Sequence, residues 1–182
     1  MANSKPRKLK KCRVCRDSFK PYRTTQRVCG VNCAIKDAEN AREKIKRREL
    51  RKAKQALKTK SQLLNEAQVA FNRYIRIRDK KDPCISCGTT NPNIQYAAGH
   101  YLTRGGHPEL RFNELNVHKQ CNKSCNLALS GNIAAYRINL KNKIGAENLA
   151  WLEGPHDAVH LTRDQIIEIK RTYSRKAREL DS

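Results

Sequence analysis

AAGHYLTRGGHPELRFNELNVHKQCNKSCNLALSGN, residues 97–132, crowds three histidines, a glycine pair and two cysteines into one span. His100, beside Tyr101 and Leu102, reads as the end of a short strand, with Gly105-Gly106 as the turn that follows. Asn116-Val117-His118 then leads into Cys121. If that tripeptide is extended, Asn116 and His118 project from one face, and the expectation is that this face also meets His100. Asn126 follows directly on Cys125, while His107, next to Pro108, reads as a loop residue.

Immediately upstream, PCISCGT contributes Cys84 and Cys87, so the span closes a C-x2-C-x33-C-x3-C pattern over Cys84, Cys87, Cys121 and Cys125. Gly88 allows the tight turn that aims backbone amides at thiolates. A tetrahedral zinc on these four sulfurs would staple the two ends of the segment together. Cys12, Cys15, Cys29 and Cys33 form a second set, C-x2-C-x13-C-x3-C, in a short polar stretch with little apolar material to fold around except a metal. Closely spaced pairs in a chain read as cytosolic point to metal rather than to disulfides.

Around these sets the chain is strongly basic. It has 182 residues, enough for one ordinary domain plus a small module, with 39 Lys and Arg against 17 Asp and Glu, a formal charge of +22. Eight thiolates with two zinc ions would bring this to about +18. Such a charge favours nucleic acid as the partner. Residues 1–60 alone carry +16, leaving +6 for 61–182. No apolar run approaches the roughly 18 residues of a membrane span, and MANSKPRKLKK is followed by no apolar segment that would make a signal peptide. The expectation is a cytoplasmic protein with no membrane contact.

AIKDAENAREKIKRRELRKAKQALKTK, running up to Lys60, lacks Gly and Pro and pairs Glu43 with Arg47 at i,i+4, which predicts a helix. Its apolar positions are too sparse for a sustained heptad, so it reads as a solvated basic helix, and Arg47, Arg48, Arg51 and Lys52 could lie along a phosphate backbone. Ser61 precedes a second helix with Leu63, Leu64, Ala67, Ala70, Phe71, Tyr74 and Ile75 at helical spacing, ending before Asp82-Pro83. IAAYRINLKNKIG reads as a third, stopped by Gly145. A last one opens on the capping pattern Thr162-x-x-Gln165 and carries Ile166, Ile167, Ile169, Tyr173, Ala177 and Leu180 on its apolar face. The domain boundaries read from this are 1–36 for the cysteine knuckle, 37–60 for the basic connector and 61–182 for the remainder.

The order His100, glycine turn, Asn116, paired cysteines, Asn126 resembles the HNH nuclease motif, a ββα-metal fold. Its strand His, loop Asn and helix Asn or His surround one catalytic cation, often bracketed by a four-cysteine zinc. Over nearly its whole length the chain is similar to the NinG/Rap recombination proteins of lambdoid bacteriophages, through the N-terminal four-cysteine knuckle, the charged helix and then FNRYIRIRD, PCISCGT, AGHY, LRFNELNVHKQC and SGN in order. That resemblance implies an endonuclease acting on branched DNA such as Holliday junctions and D-loops. The implied fold is α+β and mostly helical: an N-terminal four-cysteine zinc knuckle, a long basic helix and a zinc-stapled ββα-metal core with flanking helices.

On that template His100 is the general base, Asn116 its support, and Asn126 a ligand of Mg²⁺ or Mn²⁺. Arg104 and Arg111 could clamp the scissile phosphate. Two departures stand out. The motif has an acid directly before its His, where this chain has Gly99, and His118 is the expected replacement ligand. Three residues separate Cys121 from Cys125 where two are usual, which calls for a one-residue bulge. Symmetric cutting of a four-way junction would suggest a homodimer. The alternative reading is a zinc protein that binds DNA without cutting it.

Overall fold

In the computed structural model, residues 8–182 are described; the first seven residues of the 1–36 segment lie outside them. The chain divides after Lys58 into two compact units.

In the first unit, β1 (Lys10–Lys11) and β2 (Ser18–Phe19) form a two-stranded antiparallel hairpin, followed by α1 (Val31–Leu57). The helix starts earlier than the 37–60 connector expected from composition, and the fourth cysteine of the knuckle, Cys33, belongs to its first turn. None of its residues is buried, and Arg47 donates to Glu43 across one turn at 2.6 Å.

The second unit opens with α2 (Lys60–Arg78), whose cap is Thr59 rather than Ser61. The Thr59 hydroxyl accepts from the Gln62 amide while the Gln62 side chain accepts from the Thr59 amide, so two otherwise orphaned N–H groups are satisfied together. β3 (Tyr96–His100) and β4 (Val117–Cys121) pair antiparallel. A seven-residue π-helix (Asn122–Ala128), α3 (Ile133–Ile144), α4 (Ala146–Glu153) and α5 (Arg163–Leu180) complete the unit. The described residues are thus mostly helical, with two small sheets.

α5 begins on the expected Thr162–Gln165 capping box and lies along α2. Leu63, Ala67, Phe71 and Ile75 of α2 meet Ile166, Tyr173 and Ala177 of α5, with the Phe71 and Tyr173 rings edge to face at 4.6 Å. Ala98 and Val117 close this core from the sheet. A second core on the α3 side gathers Tyr101, Leu110, Tyr136, Leu140 and Leu152. The two-stranded sheet therefore has an apolar layer against each face. Asp79, buried at the end of α2, joins it to β4: it accepts from Arg78 at 2.6 Å and from the Lys119 amide at 3.0 Å, while Arg78 donates to Val117 O at 2.8 Å.

The ladder register corrects one expectation. Gly99 stands opposite His118, and His100 opposite Val117. Cross-strand partners share a face and neighbours alternate, so His118 projects to the face away from His100. Only 2% of it is exposed, and its Nδ1 lies 3.3 Å from the Tyr136 hydroxyl. It is a buried neutral histidine whose pKa burial pushes down to about 3, and it does not replace the acid missing at Gly99.

Candidate metal centres and nuclease-like site

The four Sγ atoms of each cysteine set lie within 4.8 Å of one another. Sulfurs around a tetrahedral zinc with bonds of about 2.3 Å stand about 3.8 Å apart. Here Cys84 and Cys125 are 3.9 Å apart, Cys87 and Cys121 3.6 Å, and Cys15 and Cys29 3.6 Å. The Cys29 amide points at the Cys12 sulfur (3.4 Å) and the Cys121 amide at the Cys84 sulfur (3.3 Å), as thiolates require. Burial raises the Cys84 thiol, but the amides of Cys87, Cys121 and Ser86 outweigh it and pull the pKa down to about 7. Both sets could hold a zinc ion. The second joins the 84–87 turn to the end of β4 and to the π-helix.

That π-helix deals with the extra residue between Cys121 and Cys125. Its wider turn shows in the Leu129 amide donating five residues back to Ser124 O at 3.1 Å, so the surplus residue is wound into the helix instead of protruding as a bulge. Asn126 thereby lines a cleft of about 400 Å³ together with His100, Thr103, Arg104, Asn72 and Ser130. His100, Asn126 and Arg104, far apart in sequence, meet here. Asn72, Thr103 and Ser130 are lining groups that sequence reasoning missed; they belong to no motif, and only the packing of α2 and the turns against β3 brings them in.

His100 Nε2 lies 3.1 Å from Arg111 O. A carbonyl only accepts, so Nε2 carries the proton and Nδ1 keeps its lone pair. Burial lowers the pKa to about 4, reinforced by the nearby Arg104 and Arg111 charges and opposed by the bond to the Arg111 carbonyl. The ring is therefore neutral at pH 7, and Nδ1 can accept a proton.

Asn116 is fully buried and touches His100 only indirectly. Its Oδ1 accepts from the Leu102 amide (2.8 Å), and its Nδ2 donates to Leu102 O (3.0 Å) and Leu110 O (3.2 Å). It clasps the two ends of the 102–110 loop and so fixes the next carbonyl, that of Arg111, which holds His100. Arg111 is not among the cleft-lining residues: its Nε donates to Gln68 Oε1 at 2.9 Å, and its guanidinium lies 5.5 Å from the Phe112 ring centre. His107 pairs with Glu109 at 3.0 Å, as a loop residue.

Among the described residues, no third group of His, Cys, Asp or Glu converges as the two cysteine sets do, and the cleft lining includes no carboxylate. Its oxygen donors are amides and hydroxyls. Beside Arg104 these neutral donors lack the carboxylate through which a hard cation is ordinarily held.

The family model described as the Bacteriophage Lambda NinG protein matches residues 3–182. The chain belongs to the NinG family. The NinG protein of Escherichia phage 933W is 39% identical over 189 residues, covering 94% of this chain and 93% of its own. The NinG proteins of Escherichia phage lambda (39% over 184 residues, covering 91% of this chain and 89% of its own) and Salmonella phage P22 (38% over 198 residues, 99% and 96%) are similar along almost their whole lengths. No solved structure matches this NinG-family chain. No helix among its described residues is long and apolar enough to cross a membrane.

Proposed function

We propose that this chain is a divalent-cation-dependent endonuclease that cuts branched DNA recombination intermediates, such as Holliday junctions and D-loops, in the host cytoplasm, with zinc in both cysteine sets. The observation that carries the reading is His100: a neutral imidazole at the end of β3, held through Nε2, with Nδ1 as its proton acceptor, in one cleft with Asn126 and Arg104. β3, β4 and the helical turn after them then serve as a ββα core, and the second zinc is its staple. The domains in this reading are the knuckle (1–36), the basic connector (37–60) and the nuclease (61–182).

Nδ1 of His100 takes a proton from a water as the water oxygen attacks phosphorus, the bond from phosphorus to the leaving oxygen breaks, and solvent protonates the departing alkoxide. Arg104 at the rim neutralises the phosphate. Asn116 keeps the base in place through the Leu110–Arg111 backbone. Asn126 would be the protein oxygen for a Mg²⁺ or Mn²⁺ ion brought in with the DNA phosphate, and such an ion would supply Lewis acidity to the phosphate and leaving group. Incubating a labelled four-way junction with the protein should give nicks near the branch with Mg²⁺ or Mn²⁺ and none in EDTA; an intact junction under every divalent cation would refute this. The cleft without a carboxylate favours the second reading, a zinc protein that binds DNA without cutting it.

DNA binding has its own test. Arg47, Arg48, Arg51 and Lys52 are exposed on α1 in two i,i+4 rows, arranged to follow one phosphate backbone. Replacing all four with glutamine is expected to reduce the slope of log K against log salt by up to roughly 3–4, at about 0.9 for each phosphate no longer neutralised. An unchanged slope would show that α1 does not touch DNA. Two chains acting on opposite arms would account for symmetric cutting.

A further inference from the structure

The π-helix ends in Asn126-Leu127-Ala128, and Leu129-Ser130 follow it. Asn126 and Ser130, the two ends of this run, line the cleft beside His100. Leu127 and Leu129, between them, are 65% and 58% exposed. Ile133, at the start of α3, is a third exposed apolar side chain and is itself part of the cleft wall. It lies over Gly131, where a Cβ would come within 3.0 Å of Ile133 Cδ1.

This apolar lip is stiff. Ser130, Gly131 and Asn132 follow one another with φ of +48°, +94° and +45°, the left-handed region, which a serine enters only where its surroundings hold it. Here the Gly131 amide donates to Cys125 O at 2.9 Å and the Asn132 amide to Leu129 O at 2.8 Å. Gly131 O accepts from Ser86 Oγ at 3.2 Å and from Nε2 of the buried Gln120. The turn is thus tied to the cysteine set and to β4.

Its surroundings are basic: residues 115–146 carry five Lys and Arg and no Asp or Glu, and Arg104 lines the same cleft. Exposed leucines among cations suit a partner that is anionic along its edge and apolar on its face. DNA offers both only where its base stack is open. In linear duplex each base face is covered by its neighbour, whereas pairs at a branch lose a stacking partner and are the easiest to part.

We propose that Leu127 and Leu129 form a wedge that enters the base stack at a DNA branch, beside the cleft, and so give the protein a preference for branched over linear DNA. This rests on the reading of branched DNA as the partner and goes beyond it by naming what recognises the branch. A wedge held in place beforehand loses little conformational freedom on insertion.

The test uses full-length protein and a four-way junction carrying 2-aminopurine next to the branch, with no divalent cation added, so that binding is read apart from cutting. Saturating wild-type protein should raise the 2-aminopurine fluorescence of the junction and leave that of the same base in linear duplex unchanged. Leu127→Ser with Leu129→Ser should lose most of the rise and lower the ratio of junction to duplex affinity about tenfold. Zinc content and the salt dependence of duplex binding should stay as in wild type. Leu127→Met with Leu129→Met, still apolar, should keep both the rise and the preference. A Ser pair that matches wild type overturns the proposal, and so does a Met pair as deficient as the Ser pair. If the Ser pair turns a wild-type dimer into a monomer on sedimentation, the leucines face a second copy of the chain and the wedge is likewise overturned. The wedge and the nuclease fail separately. A junction that is opened but stays intact in Mn²⁺ removes the nuclease and keeps the wedge; a junction cut with no rise removes the wedge and keeps the nuclease.

Discussion

His100→Ala is expected to slow cleavage of a four-way junction by roughly 10²–10⁴, the range for losing a general base, while affinity for the junction stays within a few-fold. The substitution removes the proton acceptor and leaves both cysteine sets and the basic surface in place. The pH dependence provides a second check. Because burial lowers the pKa of His100 to about 4, the active neutral form is present throughout the range above that value and is lost as pH falls through it. The kcat/KM profile, which reports the free enzyme, should therefore stay level through pH 6.5, where an exposed histidine would already be protonating. Cleavage by His100→Ala at the wild-type rate in saturating Mg²⁺ would remove His100 from the mechanism.

Stripping zinc from Cys84, Cys87, Cys121 and Cys125 is expected to unfold the second unit outright. Structural zinc contributes about 10–16 kcal/mol in small sites, against a net stability of roughly 5–15 kcal/mol for a whole domain. The ligands bridge segments more than 30 residues apart, and Cys84, Cys121 and Cys125 are buried, so their empty thiols would leave a hole beneath the sheet. The cleft depends on this staple, because Asn126 directly follows one ligand and Ser86 lies between two others. Elemental analysis should find two zinc ions per chain, and chelation should abolish the helical circular dichroism of the 59–182 unit cooperatively. A chain that purifies without zinc, has freely reactive thiols and still melts cooperatively would contradict this.

What could be read from the sequence was what is local. The cysteine sets are local spacings, and both converge in space. The Thr162–Gln165 capping box is four residues long and begins α5 as expected. His100 ends its strand because Tyr101 and the glycine turn follow it. Strand register is different in kind. Alternation along 116–118 shows that Asn116 and His118 share a face, but nothing within that strand says how it aligns with β3, and an offset of one residue sends His118 to Tyr136 instead of the cleft. α4 was not anticipated, being only eight residues between Gly145 and Gly154. The π-helix has no periodic signature in sequence, although the surplus residue between Cys121 and Cys125 signalled that some distortion had to occur there.

The most direct test of the central claim separates chemistry from binding. A four-way junction is bound to an excess of wild-type protein in EDTA until every junction is in the complex, and Mn²⁺ is then added in a single-turnover reaction. The account predicts nicked strands accumulating near the branch from the preformed complex, and almost none from the His100→Ala complex over the same interval. A fully bound junction that stays intact with wild-type protein would contradict it and leave a zinc protein that holds branched DNA without cutting it.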